Sequence, residues 1–363
     1  MSLKVSKCIL KLAPSDECES TTAPVKGSNE AKFFLFTLDG KKNLEHPTPP
    51  ASMPSSHLLI LSLLLTLLAV VQCGPGADQG WGYDVENGPE TWQGKCQNHL
   101  KQSPIDIRAP DVDYALLHRM HFMNYDMDGK IELSNTGRTL FAGGFEHWQH
   151  RQPMIQGGGL KHRYKLVQFH LHWGQNDAVG SEHALGSLHY PAELHLVHVR
   201  EGLTLHEALT RPDGLAVVGV FLAKTNDPVA NNFSPISERL HDLRHSGNVT
   251  ELKNFRTKYV LPLDTEAFYR YEGSLTTPDC SEAVIWTVLA EPMAISSHQL
   301  HLLRQLHNKE LVKSDKNYRP LQPLNGRRIQ YRPSKLDRAM ICSSAGVASI
   351  LSTVFAVYVA MIV

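Results

Sequence analysis

Gln168-Phe169-His170-Leu171-His172-Trp173 and Glu193-Leu194-His195-Leu196-Val197-His198 decide how this chain folds. Both stretches alternate polar and apolar residues, the period-two signature of a β-strand whose residues i, i+2 and i+4 share a face. Gln168, His170 and His172 then point one way, with Phe169, Leu171 and Trp173 behind them. In the second stretch Glu193, His195 and Val197 share a face, and His198 falls on the opposite one, a structural position. If the strands are neighbours, three imidazoles converge from rigid backbone. Three neutral nitrogen ligands with a fourth position open is the pattern of a catalytic zinc rather than a structural one. Gln168 and Glu193 each stand two residues before a histidine on its face, placed to accept a ring N–H and fix the metal-binding tautomer. With 20 histidines in 363 residues, a single His-x-His is weak evidence, because an isolated buried histidine is ordinarily a satisfied core residue. The paired strand, with its amide and carboxylate, is what carries the metal reading.

Other short β-type runs surround these two. Residues 165–173 and 192–198 alternate, whereas 215–224 (LAVVGVFLAK) is almost continuously apolar and reads as a buried central strand. Helical periodicity appears over 296–307, where Ser296 or Ser297 can cap and Leu300, Leu303 and His307 fall on one face. Residues 235–245 are a second short helix candidate. Basic and acidic residues balance at 36 each with no basic run, which argues against a nucleic-acid partner. A hydrophobic content of 42% suits a globular fold, and the middle of the chain is long enough to bury one full core.

Two apolar segments bracket that middle. Residues 58–71 (LLILSLLLTLLAVV) are short for a membrane span, which needs about 20 apolar residues, and have the length of a signal-peptide core, with small residues following at Cys73 and Gly74. Because unpatterned polar sequence precedes it, residues 1–52 read as an extension ahead of a start at Met53, with 53–73 the signal peptide; a signal anchor, weakly supported by Lys41 and Lys42, is the rival. Residues 346–363 are apolar with no Lys or Arg after them, and small or polar residues (Ser334, Ser343, Ser344) precede them. That is the pattern of a glycosylphosphatidylinositol attachment signal over 335–363; a single-pass helix is the alternative. Cys8, Cys18 and Cys73 fall in or before the signal and Cys342 in the tail, so Cys96 and Cys280 are left in the domain, where two cysteines in an oxidising compartment most simply pair. Asn232 and Asn248 open glycosylation sequons, consistent with the secretory route.

From Trp81 to about Arg332 the chain resembles an α-class carbonic anhydrase, specifically the extracellular, lipid-anchored branch. The matching blocks are Trp81-Gly82-Tyr83, Gln102-Ser103-Pro104-Ile105-Asp106-Ile107, the two histidine strands, Gly180-Ser181-Glu182-His183, Gly273-Ser274-Leu275-Thr276-Thr277-Pro278 and Asn317-Tyr318-Arg319-Pro320, in the family's order. The resemblance implies a mostly β, single-domain fold over 74–334: a large, mostly antiparallel central sheet with a few peripheral helices and a conical cleft. It implies Zn2+ on His170, His172 and His195, whose bound water, deprotonated near neutral pH, attacks CO2 to give bicarbonate; this family is the standard example of that lowered pKa. It further implies that Thr276 orients the attacking oxygen by donating to Glu182, and that Val197, Val217, Leu275 and Trp286 wall the CO2 site. Thr277 would lie on the bicarbonate side, and a Cys96–Cys280 disulfide is expected from extracellular members. At the rim, where fast members carry a proton-shuttling histidine, Asn135-Thr136-Gly137-Arg138 puts Arg138, which cannot cycle a proton. Tyr83, another histidine or external buffer would then serve.

The resemblance thus points to a monomer on the outer leaflet of the plasma membrane, held by a lipid anchor, with CO2 and bicarbonate as its small-molecule partners. Two rivals come from other classes. A non-enzymatic adhesion ectodomain is disfavoured because all three histidines, Glu182 and Thr276 are present. A different zinc hydrolase is disfavoured by the absence of His-Glu-x-x-His and of Gly-x-Ser-x-Gly around a serine.

Overall fold

The computed structural model describes residues 80–97, 100–226, 233–308 and 315–338, all within one compact unit, Gly74–Val363. The predicted extension over 1–52, the signal peptide over 53–73, the apolar run 346–363 and Asn232 lie outside the described residues. Among the described residues no helix is long and apolar enough to cross a membrane.

A sheet of 13 strands dominates. Ten of its strands form one path: β1 (Val112–Tyr114), β2 (Asp128–Asn135), β3 (Leu140–Gly143), β4 (Leu160–Trp173), β5 (Ala192–Arg200), β6 (Leu215–Thr225), β7 (Val249–Arg256), β8 (Phe268–Gly273), β9 (Val284–Leu289) and β10 (Ile329–Arg332). Their spatial order is β7-β2-β3-β4-β5-β6-β9-β8-β10-β1. Pairing is mostly antiparallel, as expected, with parallel exceptions at β6–β9 and β10–β1. The first exception follows from topology: the chain leaves β6, builds β7 and β8, and returns to β6 in the same direction, which a tight hairpin cannot do.

β6 is buried from Leu215 through Leu222, confirming it as a central strand with both faces covered. One face packs Leu166, Phe169, Leu171, Leu194, Leu196, Val218 and Val220 into the larger core. The other gathers Val197, Val199, Val217, Phe221, Val288 and Trp286 into a second core beneath the histidines.

β4 departs from strict alternation. Its register against β5 shifts between Leu166 and Gln168, so the buried parity changes from Tyr164 and Leu166 to Phe169 and Leu171. A bulge of one residue does this, because two residues on one strand then oppose one on its partner. The histidine half of β4 keeps the predicted faces only because it lies beyond the bulge.

The helices are shorter than their patterns suggest. Ser297–Leu303 is capped by Ser296 in a reciprocal box with Gln299, burying Leu300 and Leu303, but it ends before His307. Within 235–245 only Ser234–Ser237 is α-helical; turns follow. The four tail residues 335–338 still pack on the domain: Asp337 Oδ2 accepts from Tyr331 at 2.9 Å and from the Ser334 amide at 3.0 Å.

Candidate active site and metal centre

β4 and β5 are hydrogen-bonded neighbours, with His170 directly opposite His195 and His172 opposite Glu193. The ligand nitrogens of His170, His172 and His195 lie within 4.8 Å of one another. Each ring has one nitrogen engaged by a fixed acceptor. His170 Nδ1 donates to Gln168 Oε1 at 2.9 Å, and His195 Nε2 donates to Glu193 Oε1 at 2.8 Å, the two partners read from the sequence. His172 Nδ1 donates to the Asn317 carbonyl at 2.7 Å. That third partner was not legible. It is a backbone oxygen 145 positions away, and only the block containing Asn317 hinted that this segment mattered.

The remaining nitrogens, Nε2 of His170 and His172 and Nδ1 of His195, are therefore the ones left for a metal. His172 Nε2 is buried with no hydrogen-bond partner, a costly state that coordination would relieve. Burial holds all three imidazoles below their usual pKa, His172 down to about 3, so they stand as neutral ligands. Zinc fits this donor set. A second triple, His183, Glu193 and His195, also comes close, but His183 Nδ1 already donates to Glu193 Oε1 at 2.7 Å, and the group is satisfied internally.

Glu193 is thus shared by two histidines. Burial alone would raise its pKa, but His183 and His195 outweigh that and hold the carboxyl well below the usual range. Sequence reasoning passed over His183, which extends the network inward: its Nε2 lies 2.6 Å from the Tyr271 hydroxyl, itself 2.9 Å from Ser103 Oγ. Ser103 and Ser274 then bond reciprocally, the Ser274 amide to Ser103 Oγ at 3.0 Å and the Ser103 amide to Ser274 Oγ at 2.9 Å. Ser274 stands two residues before Thr276, so a continuous buried network joins the histidine strands to the loop that carries the threonine.

Glu182 is fully buried beside the histidines, its Oε1 3.3 Å from His172 Nδ1. Oε1 accepts from the Arg319 amide at 2.8 Å. Burial raises its pKa well above normal; the Thr276 hydroxyl nearby and the Arg319 amide pull it back down. Oε2 has no hydrogen bond of regular geometry, so Thr276 stands close to the carboxylate without closing a bond to it. Arg319 was also unforeseen as a brace. Its guanidinium donates to Gln102 Oε1, the Ser103 carbonyl and the Cys96 carbonyl at 2.8–2.9 Å.

The expected apolar wall assembles in one row. Val197 on β5 opposes Val217 on β6, which opposes Trp286 on β9. This row is displaced by two residues from the row of His170, His195 and Gly219. Space is tight at Gly219, where a Cβ would come 3.0 Å from Glu193 Oε1. Leu275 packs partly buried against the same cluster. Thr276 is buried and Thr277 half-buried; the Thr277 carbonyl accepts from the Cys280 amide at 2.8 Å. Cys96 and Cys280 form the disulfide, with S–S 2.07 Å.

Arg138 is half-buried and held: its Nε donates to the Trp81 carbonyl at 2.6 Å, and its guanidinium lies 4.3 Å from the Trp81 ring centroid. Burial holds the Tyr83 phenol well above its usual pKa, with Glu182 adding to the effect. His198 sits on the reverse face as predicted, its Nε2 accepting from the Tyr125 hydroxyl at 2.7 Å and its Nδ1 donating to the Ala216 carbonyl at 3.1 Å.

Residues 87–333 match the family model for eukaryotic-type carbonic anhydrases. The chain is 89% identical over 311 residues to a Caenorhabditis elegans protein named putative carbonic anhydrase 5, covering 86% of this chain and all of that one. It is 42% identical over 252 residues to putative carbonic anhydrase 3 of the same organism, covering 69% of this chain and 96% of that one. Against carbonic anhydrase 3 of Rattus norvegicus it is 36% identical over 263 residues, covering 69% of this chain and 97% of that one. The converging imidazoles and these matches together place the chain in the eukaryotic-type carbonic anhydrase family, whose activity is that of a carbonate dehydratase.

Proposed function

We propose that this chain hydrates CO2 reversibly to bicarbonate and a proton at a zinc ion held by His170, His172 and His195, on the extracellular face of the plasma membrane. The observation that carries the reading is the tautomer pattern: three buried imidazoles, each with one nitrogen committed to a fixed acceptor and the other turned to a common point. Zinc bound there supplies a Lewis acid that brings the pKa of water near neutrality and so makes a nucleophile available.

The chain's own groups do the rest. Gln168, the Asn317 carbonyl and Glu193 hold the rings and raise their basicity as ligands. Thr276 stands beside Glu182; turned to donate to that carboxylate, its hydroxyl could only accept on the other side, which would orient the proton of the attacking oxygen. Burial alone would keep Glu182 protonated; a dication at the three nitrogens pulls in the opposite direction and favours the carboxylate. The row Val197, Val217 and Trp286, with Leu275, offers CO2 an apolar wall, and Thr277 lies on the bicarbonate side. A guanidinium cannot relay a proton near neutral pH and the Tyr83 phenol stays protonated, so another histidine or external buffer takes the proton.

The apolar runs at 58–71 and 346–363, the disulfide and the sequon at Asn248 support export and lipid attachment. Asn248 is half-buried, its Nδ2 donating to the Asp242 carbonyl at 2.8 Å. His195→Ala tests the core of the proposal. CO2 hydration and bound zinc should both be lost while the circular dichroism of the sheet is retained; a folded variant with stoichiometric zinc and near-normal turnover would refute the ligand assignment.

A further inference from the structure

Far from the histidines, three neighbouring segments present large apolar side chains to solvent. Leu116 is 97% exposed, Leu263 99%, Leu336 68% and Tyr114 70%. The segments are tied together beneath these side chains. The Ala115 amide donates to the Tyr331 carbonyl at 2.8 Å, and Arg332 Nε donates to the Leu117 carbonyl at 3.1 Å. Arg119 and Lys335 both reach Glu266, at 3.4 and 3.9 Å. Around the leucines Arg119, Arg332, Lys335 and Arg338 stand against Asp264, Glu266 and Asp337, four cations to three carboxylates, so the patch carries a small positive excess. Isolated exposed leucines are unremarkable, but an apolar cluster with a basic rim marks an interaction surface.

We propose that this patch rests on the phospholipid surface to which the chain's own tail is attached. The proposal builds on the reading of residues 346–363 as a membrane-attachment segment. Its particular support is where the described chain ends. Arg338 lies at this patch, two residues from Leu336, and residues 339–345 alone separate it from the apolar run. Fully extended, that stretch reaches at most about 30 Å, so an attached tail keeps this patch close to the bilayer. Leucines then meet the interface and Arg119 and Lys335 meet headgroup phosphates.

The patch also fixes an orientation. β8 begins beside it, at Phe268 following Glu266, and its other end, Gly273, leads directly into Ser274 and Thr276. Six extended residues span about 20 Å. The threonine loop is therefore carried at the end of β8 that points away from the lipid.

Hydroxyl-radical footprinting of the full-length protein in phosphatidylcholine vesicles, with and without phosphatidylserine, tests this. In bilayers Leu116 and Leu263 should be oxidised several-fold less than Leu188, although Leu188 is the less exposed at 73%, and phosphatidylserine should deepen the protection. In Leu116→Asp/Leu263→Asp, Leu336 should regain reactivity. If the protein floats with the vesicles but Leu116 and Leu263 remain as reactive as Leu188, the patch proposal is overturned while tail attachment stands. Protein that does not float overturns both. Protection that disappears when the protein is diluted within the vesicles assigns the patch to a second copy and likewise overturns lipid docking.

Discussion

Arg138 shows how one side chain can be legible in type and illegible in role. Sequence placed a guanidinium where a titratable group would relay protons; the structure adds that it is fastened to Trp81 by a hydrogen bond and a cation–π contact. Arg138→His is expected to raise kcat at low buffer concentration and leave kcat/KM for CO2 nearly unchanged, because only maximal turnover includes proton release. High imidazole buffer should erase the difference, and stopped-flow hydration across buffer concentrations checks it. Losing the Trp81 contacts should cost about 0.5–1 kcal/mol of stability, seen separately in thermal melts. His198 supplies a pH prediction. Burial pushes its pKa down to about 3, while the unfolded value is 6.5. Below pH 6.5 the unfolded chain takes up a proton that the folded chain refuses, so this stability is complete above 6.5 and is lost as pH falls toward 3. The loss approaches about 1.4 kcal/mol per pH unit for the site. In zinc-free protein, where metal release cannot interfere, His198→Gln should flatten the fall of the urea midpoint with pH by the equivalent of one proton.

Secondary structure was most readable where side-chain polarity alternates or the apolar run is unbroken. β5 and β6 appear almost as the pattern predicts, because a period of two and an unbroken apolar run each have one physical meaning. The bulge in β4 was not readable: Val167 looks like any strand residue, and only pairing with β5 reveals the slip. The helix over 296–307 was overextended because the apolar period continued after α-helical hydrogen bonds gave way to tighter turns at Gln305 and Leu306. Gly273, at the end of β8, tests how tightly the elements meet at the site. A Cβ there would come within 2.2 Å of Ser103 Oγ and 2.9 Å of the Trp286 ring. Gly273→Ala should therefore cost about 1–3 kcal/mol, as overpacked cores do. It should also lower kcat, because Ser274 and Thr276 follow directly; a melt and a rate both unchanged would show that the junction has slack.

Across the whole molecule, family blocks made the histidines, the threonine loop and the wall readable, yet they gave no hint of what braces them. Backbone acceptors such as the Asn317 oxygen have no side-chain signature, and Arg319 reaches three residues more than 200 positions upstream. The disulfide joins the same region across a sequence separation of 184. Cys96→Ser/Cys280→Ser should destabilise the protein by about 2–5 kcal/mol. That would lower the melting temperature by roughly 5–15 °C; an unchanged melt would mean that Arg319 alone suffices to hold the N-terminal segment. The bond from His172 to Asn317 carries a further consequence, for synthesis. The three histidines proposed to hold zinc leave the ribosome well before residue 317 does, so for much of translation the chain would carry ligands that it cannot yet orient. On that assignment tight metal capture would wait for Asn317, and a nascent chain stalled before it should bind zinc only loosely, whatever else had already folded.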